Sequence, residues 1–282
     1  MFNKLIEAVR RIRRNAAQRG GRAAFNNILR RIRNRDFSFA PEQPLVMDGR
    51  HPFDEATGLD TGGFIHGSQL KSGHPHDLYI VSYYGTAPSL VQAMLDRWLE
   101  TPDRLPIENY TFIDFGSGKG RVVLIASKLP FRKCIGVELN SGLNAIAAQN
   151  FARWQQSGNA LSPLESVCED AIAFEFPPGP CLVYLFNPFT SKVIARLLDR
   201  IAESFSDRPG QLDLLYVNAE FRDLLDQHTG FTPLWQMPVK MSAEDAAADL
   251  LHKTDPSGNH PYTPELQEPC AAWRFTGVPN RA

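Results

Sequence analysis

The sequence predicts an α/β fold: a Rossmann-like, seven-stranded, mostly parallel sheet with helices on both faces, plus an N-terminal helical appendage. Three observations carry this. From Tyr110 onward, short apolar runs alternate with amphipathic stretches. The first of those runs ends in a glycine-rich turn, Gly116-Ser117-Gly118-Lys119-Gly120. The opening residues 1–35 differ sharply in charge from all that follows.

The elements are read in order. Tyr110 to Phe115 is a short apolar run, hence a buried strand, and Gly120 to Lys128 is helical. Lys133 to Leu139 reads as a strand and Ser141 to Gln155 as a helix. Leu164 to Cys168 and Cys181 to Phe186 are further strands, Ser191 to Phe205 is a helix, and Leu212 to Asn218 is a fifth strand. Two more strands are expected near Thr232 to Val239 and Ala271 to Thr276. Strands alternating with helices imply parallel pairing, with a ligand crevice at one edge of the sheet. Upstream, Leu90, Val91, Met94, Leu95, Trp98 and Leu99 have helical spacing, with Pro88 just before them.

The division expected from this is a basic helical arm at 1–35, a linker and lid segment at 36–88, and a cofactor-binding domain at 89–282. Residues 36–75 are rich in Pro, Gly, Asp and His and lack periodicity, so they read as linker and loops. Lys240 to Pro261 is polar and acidic and reads as a mobile insertion near the site.

The chain has 282 residues and a net charge of -1, which conceals an asymmetry. The arm holds eleven of the 30 Lys and Arg and one acid, Glu7, so it carries about +10 and the remainder about -11. Phe2, Leu5, Ile6, Val9 and Ile12, then Phe25, Ile28, Leu29 and Ile32, recur at helical spacing on either side of Gly20-Gly21. Three roles fit such an arm: covering the body with its apolar faces, docking on nucleic acid, or lying on an anionic membrane. No run of eighteen apolar residues is present, so no transmembrane helix is expected. Cys134, Cys168, Cys181 and Cys270 show no paired spacing, which favours a reducing, cytoplasmic setting. His74-x-His76 is half of a metal site that nothing completes, so no metal is expected.

The chemistry centres on the glycine turn. Gly-x-Gly-x-Gly at a strand-to-helix junction lets backbone approach a ligand closely. Asp114, two residues before the first glycine, would repel a pyrophosphate and attract the ammonium of an amino-acid ligand. Glu138, near the end of the next strand, stands where a carboxylate accepts from both hydroxyls of a ribose. Asp170, after the third strand, could receive an exocyclic adenine amine. Leu139 and Ala171 flank these acids and are grouped with them as cofactor-binding, as are Gly116, Ser117, Gly118, Gly120 and, from further along the chain, Asn187. A phosphate loop is rejected, because no Ser or Thr follows Lys119 and the first glycine is misplaced.

Asp114 to Arg121, with Gly136-Val137-Glu138, resembles the class I S-adenosylmethionine-dependent methyltransferases. Within that group it is similar to the DOT1-like proteins and to bacterial relatives carrying Gly-Ser-Gly-Lys-Gly-Arg. Phe53-Asp54, Gly58-Leu59-Asp60-Thr61 and Tyr84-Gly85-Thr86-Ala87-Pro88 share the resemblance. It implies that Asp114 to Gly120 hold the methionine end of S-adenosylmethionine, Glu138 the ribose and Asp170 the adenine. On the acceptor side, Asn187-Pro188-Phe189 looks like the Asn-Pro-Pro-Phe/Tyr motif of amino-group methyltransferases, one proline short. Asn187 would accept hydrogen bonds from a target amine, and Phe189 would stack on it. Tyr83 and Tyr84 are candidates to line or close the site; Tyr84 is grouped with Asn187, Pro188 and Phe189 as catalytic. A hydroxyl acceptor would need a base, for which His66, His74 and His76 are candidates.

The expected activity is methyl transfer to a nitrogen of a protein side chain, nucleobase or small molecule. A small-molecule oxygen or carbon methyltransferase is the alternative on the same site. A non-catalytic protein acting through its basic arm is the alternative of another class.

Overall fold

The structure is a computed structural model and describes residues 46–47, 51–71, 73–74, 81–253 and 266–277. The basic arm at 1–35, His76 and the 254–261 part of the acidic stretch lie outside the described residues. Leu45–Ala282 clusters as one compact unit.

Ten strands and seven α-helices are described: β1 Val46–Met47, α1 Pro52–Thr57, β2 Phe64–Ile65, β3 Tyr83–Tyr84, α2 Pro88–Leu99, β4 Thr111–Phe115, α3 Arg121–Ala126, β5 Lys133–Glu138, α4 Ser141–Gln156, β6 Leu164–Cys168, β7 Cys181–Phe186, α5 Ser191–Ser204, β8 Leu212–Val217, α6 Arg222–Gln227, β9 Phe231–Lys240, α7 Ala243–Lys253 and β10 Gln267–Phe275. The main sheet has seven strands in the order β6-β5-β4-β7-β8-β10-β9, and β1-β2-β3 form a small second sheet. β4 to β8 pair in parallel, and β10 runs antiparallel to both of its neighbours. This is the Rossmann-like architecture expected.

Both faces of the central strands are apolar because both are covered. Phe112, Leu182, Tyr184 and Leu215 pack with α2, α3 and α4. Ile113, Phe115, Val183, Leu185, Leu214 and Tyr216 pack against α5. All six residues of α3 are buried, including Arg121 at its start.

Two readings need correction. Residues 36–75 are not loops throughout: α1, β2 and a 3₁₀ turn at Gly67–Gln69 lie there, too short for any periodicity to show. The stretch from Lys240 is not an irregular insertion as far as it is described. Lys240 ends β9, and Ala243–Lys253 is a helix. It does stand on the crevice side: β9 runs parallel to β8, so its end and α7 share the edge where β4, β7 and β8 terminate. β10 also begins four residues earlier than expected, at Gln267. Pro269 masks the strand in the sequence. It is tolerated because it pairs with Pro238 of β9, beyond the last residue of β8 paired with β10.

From β4 the chain moves outward through β5 and β6, then returns to the other side of β4 as β7 and β8. The order reverses between β4 and β7, and in open α/β sheets that is where a crevice opens at the strands' carboxyl ends.

Candidate active site

The glycine turn follows β4 at this switch point. Gly116, Gly118 and Gly120 have φ of 74°, 55° and 90°, a left-handed path that side chains resist. The backbone N–H groups of Gly116 and Ser117 both donate to the Val137 carbonyl, at 2.9 and 3.2 Å. Gly118 N–H donates to Glu138 Oε2 at 2.9 Å, and Asn140 N–H to Oε1 at 2.8 Å. Burial pushes the Glu138 pKa up, and those N–H groups oppose the shift.

Asp114 is 3% exposed, and among the described residues no donor reaches its carboxylate. Burial raises its pKa well above the usual carboxylate range, and the nearby Glu138 charge adds to the shift. Ser117 Oγ is likewise buried without a partner among the described residues. Asp170 is half-buried after β6, its Oδ1 accepting from Ile172 N–H at 3.0 Å. The three acids thus lie at or just past the ends of three adjacent strands, β4, β5 and β6, along one edge. Leu139 is half-buried there, whereas Ala171 is packed into the core on the α5 face.

The acceptor-side motif lies across the switch point. A Cβ on Gly116 would stand 2.6 Å from Pro188 Cβ, so the two turns touch. Asn187 has φ of 39°, an uncommon conformation for a residue with a side chain, and its Oδ1 accepts from Tyr216 Oη at 3.2 Å. Phe189 is half-buried.

Tyr83 and Tyr84 divide as neighbours on a strand must. Tyr83 is buried, its ring filling the space a Cβ on Gly118 would need, and its hydroxyl donates to the Thr61 carbonyl at 2.8 Å. Tyr84 is half-buried and pairs with Phe64 across β2. His66 caps the 3₁₀ turn, accepting from Ser68 N–H through Nδ1. His74 is half-buried. Among the described residues, no group of three or more His, Cys, Asp or Glu is arranged to hold a metal. Among them, no helix is long and apolar enough to cross a membrane.

Other residues brace the turn without being singled out as site residues in the sequence. Arg121 is 3% exposed; its Nε donates to Thr61 Oγ1 at 2.8 Å and its Nη1 to the Gly85 and Thr86 carbonyls at 3.3 Å. Asp54 lies 3.9 Å from Arg121 Nη2 and accepts from both the backbone and the hydroxyl of Thr61. Lys119 Nζ donates to Asp60 Oδ1 at 2.6 Å and the Gly62 carbonyl at 2.9 Å, so it is engaged as a brace. Asn150 donates to the Asp60 and Lys119 carbonyls. Asp54, Asp60, Thr61, Gly85 and Thr86 all fall in the upstream segments that share the family resemblance. One sequence signal pointed here: an arginine heading the all-apolar run Val122-Val123-Leu124-Ile125-Ala126 needs buried partners.

No protein-family model and no curated protein matches the chain. Solved structures resemble it at low identity. TrmN from Thermus thermophilus is 16% identical with a TM-score of 0.43, over 67% of this chain and 48% of that one. The B. subtilis m1A22 tRNA methyltransferase TrmK is 11% identical with a TM-score of 0.41, over 68% and 67%. The [4+2]-cyclase SpnF is 15% identical with a TM-score of 0.47, over 68% and 82%. The chain therefore spans about half the length of TrmN. We draw no function from these likenesses, and the fold class stands on the strand order itself.

Proposed function

We propose that the chain binds S-adenosylmethionine at the carboxyl ends of β4, β5 and β6 and transfers its methyl group to an acceptor nitrogen beside Asn187. The observation that carries this reading is the Asp114 carboxylate, buried at the switch point with no donor among the described residues. A buried carboxylate without a partner is costly, and a cationic ligand removes that cost. The remaining donor set fits the same ligand. Each Glu138 oxygen takes one backbone N–H, which leaves lone pairs for a diol. Asp170 stands one strand further on, at the adenine end.

S-adenosylmethionine supplies an electrophilic methyl group on a sulfonium. The protein's part is alignment. Asp114 would hold the ammonium, Glu138 the ribose hydroxyls, and the exposed Gly116 backbone would border the ligand. Contact between Gly116 and Pro188 sets the acceptor side directly against the donor side. There Asn187 would orient the acceptor and Phe189 would stack on it. A protein side chain, a nucleobase or a small molecule would suit as acceptor. The finer likeness to the DOT1-like group rests on the shared motifs, which coincide with the brace around Arg121. In this reading residues 89–282 form the catalytic domain, 36–88 its linker and lid segment, and 1–35 a basic helical arm.

Calorimetry tests the reading. The parent protein is expected to bind S-adenosylmethionine saturably and Asp114→Ala to bind it far more weakly. Labelled cofactor with fractionated cell extract should then mark one acceptor fraction. Absence of saturable binding by the parent would sink the reading.

A further inference from the structure

Tyr216 is the penultimate residue of β8, faces the α5 side of the sheet and is fully buried. A phenol hydroxyl so placed needs a partner for its O–H. The hydroxyl lies 3.2 Å from Asn187 Oδ1 and donates to it. Burial raises the Tyr216 pKa, so the group stays protonated and remains a donor. The direction of the bond is thus set: Tyr216 O–H donates and Asn187 Oδ1 accepts. That polarity fixes which end of the amide is which, an assignment an isolated asparagine leaves open. It also restrains a residue held at φ of 39°.

We infer that Tyr216 is a positioning residue that locks the side-chain amide of Asn187, and through it the acceptor. Resting on the methyltransferase reading, the inference adds a residue two strands from β4 and outside every motif named above. With Oδ1 anchored by the tyrosine, Asn187 keeps one carbonyl lone pair and both Nδ2 hydrogens for other partners. The acceptor is therefore met by an amide of one fixed orientation. Tyr216→Phe removes the hydroxyl and keeps the ring, so packing in the core is preserved.

The experiment compares the full-length parent with Tyr216→Phe, Asn187→Ala and the double variant. First, the side-chain amide of Asn187 is followed by ¹⁵N NMR, assigned by its loss in Asn187→Ala. Tyr216→Phe is expected to shift that pair of resonances and speed their exchange with water; unchanged resonances would overturn the proposal whatever the acceptor is. Second, calorimetry with S-adenosylmethionine should give Tyr216→Phe an affinity within about twofold of the parent, because its hydroxyl meets Asn187 on the acceptor side. Third, incorporation of labelled methyl into fractionated cell extract should fall about tenfold to a hundredfold in Tyr216→Phe, with no further loss in the double variant beyond Asn187→Ala. Parent-like incorporation by Tyr216→Phe would overturn the positioning role and leave the methyltransferase reading standing. A parent that fails to bind S-adenosylmethionine would remove both.

Discussion

The Gly118 backbone N–H donates to Glu138 Oε2 at 2.9 Å, so the first helix-side turn and the second strand of the crevice are joined by one carboxylate. Glu138 accepts from Asn140 N–H with its other oxygen and is nine-tenths buried. One side chain therefore shapes the glycine turn and faces the proposed ribose site.

Glu138→Gln should uncouple these roles. A Gln amide must turn its NH2 toward one of the two N–H donors, and that contact becomes repulsive. A hydrogen bond to a charged group contributes roughly 1.5–3 kcal/mol, so S-adenosylmethionine affinity should drop about tenfold to a hundredfold. Amide exchange at Gly118 or Asn140 should accelerate. Unchanged protection at both would contradict the hydrogen-bond assignment.

Asp114 should set function against stability. Its pKa is raised in the folded state by burial first and by Glu138 second. The folded protein therefore holds the proton more tightly than the unfolded chain does. The resulting stabilisation is full below the unfolded pKa and is lost as pH rises through the folded one. Asp114→Asn should flatten that pH dependence and unfold at a higher temperature near neutrality. Its affinity for S-adenosylmethionine should fall roughly 30-fold to 5,000-fold, the effect of removing one member of a buried charge pair at about 2–5 kcal/mol. Parent affinity should climb with pH as the carboxylate ionises. An Asn variant that unfolds earlier, or binds as the parent does, would refute this.

Gly118→Ala meets two obstacles, φ of 55° and the Tyr83 ring, which occupies the place of the new Cβ. Strained backbone and overpacking together should cost about 2–4 kcal/mol in urea unfolding. In a Tyr83→Ala background the steric part disappears, and the same substitution should cost about 1–2 kcal/mol. Equal costs in both backgrounds would show that Tyr83 does not dictate this glycine.

Arg121→Met leaves Asp54 buried without its cation, a loss expected at about 3–5 kcal/mol. Adding Asp54→Asn should restore part of it. A purely additive pair, measured by denaturant unfolding, would mean that the two side chains do not act together.

Thiol titration checks the core placement. Cys134, Cys181 and Cys270 are buried and Cys168 is exposed at the end of β6. Burial pushes the Cys181 and Cys270 thiols up to about 12, which suppresses the reactive thiolate. A disulfide reagent should find one fast thiol in the native protein and four in denaturant. Two or more fast native thiols would place a strand wrongly.

Much of the fold was legible in the sequence because it is written locally. A buried strand such as Cys181–Phe186 is a continuous apolar run, and a covered helix such as Ser191–Ser204 repeats its apolar positions each turn. Asp114, Glu138 and Asp170 were legible for the same reason: each lies at or just past the end of a strand that its own residues announce. Tertiary structure alone decided what those residues meet. Gly118 is required by the ring of Tyr83, 35 positions earlier, and Gly116 by Pro188. Arg121 finds Thr61 across 60 residues, and Asp245 reaches the Ser89 N–H at the start of α2 across 156. Tyr216 and Asn187 end neighbouring strands that only the sheet order brings side by side. No periodicity records such meetings. Hydrophobic pattern specifies which face of an element is buried, whereas the polar partners on that face are chosen by how the elements stack.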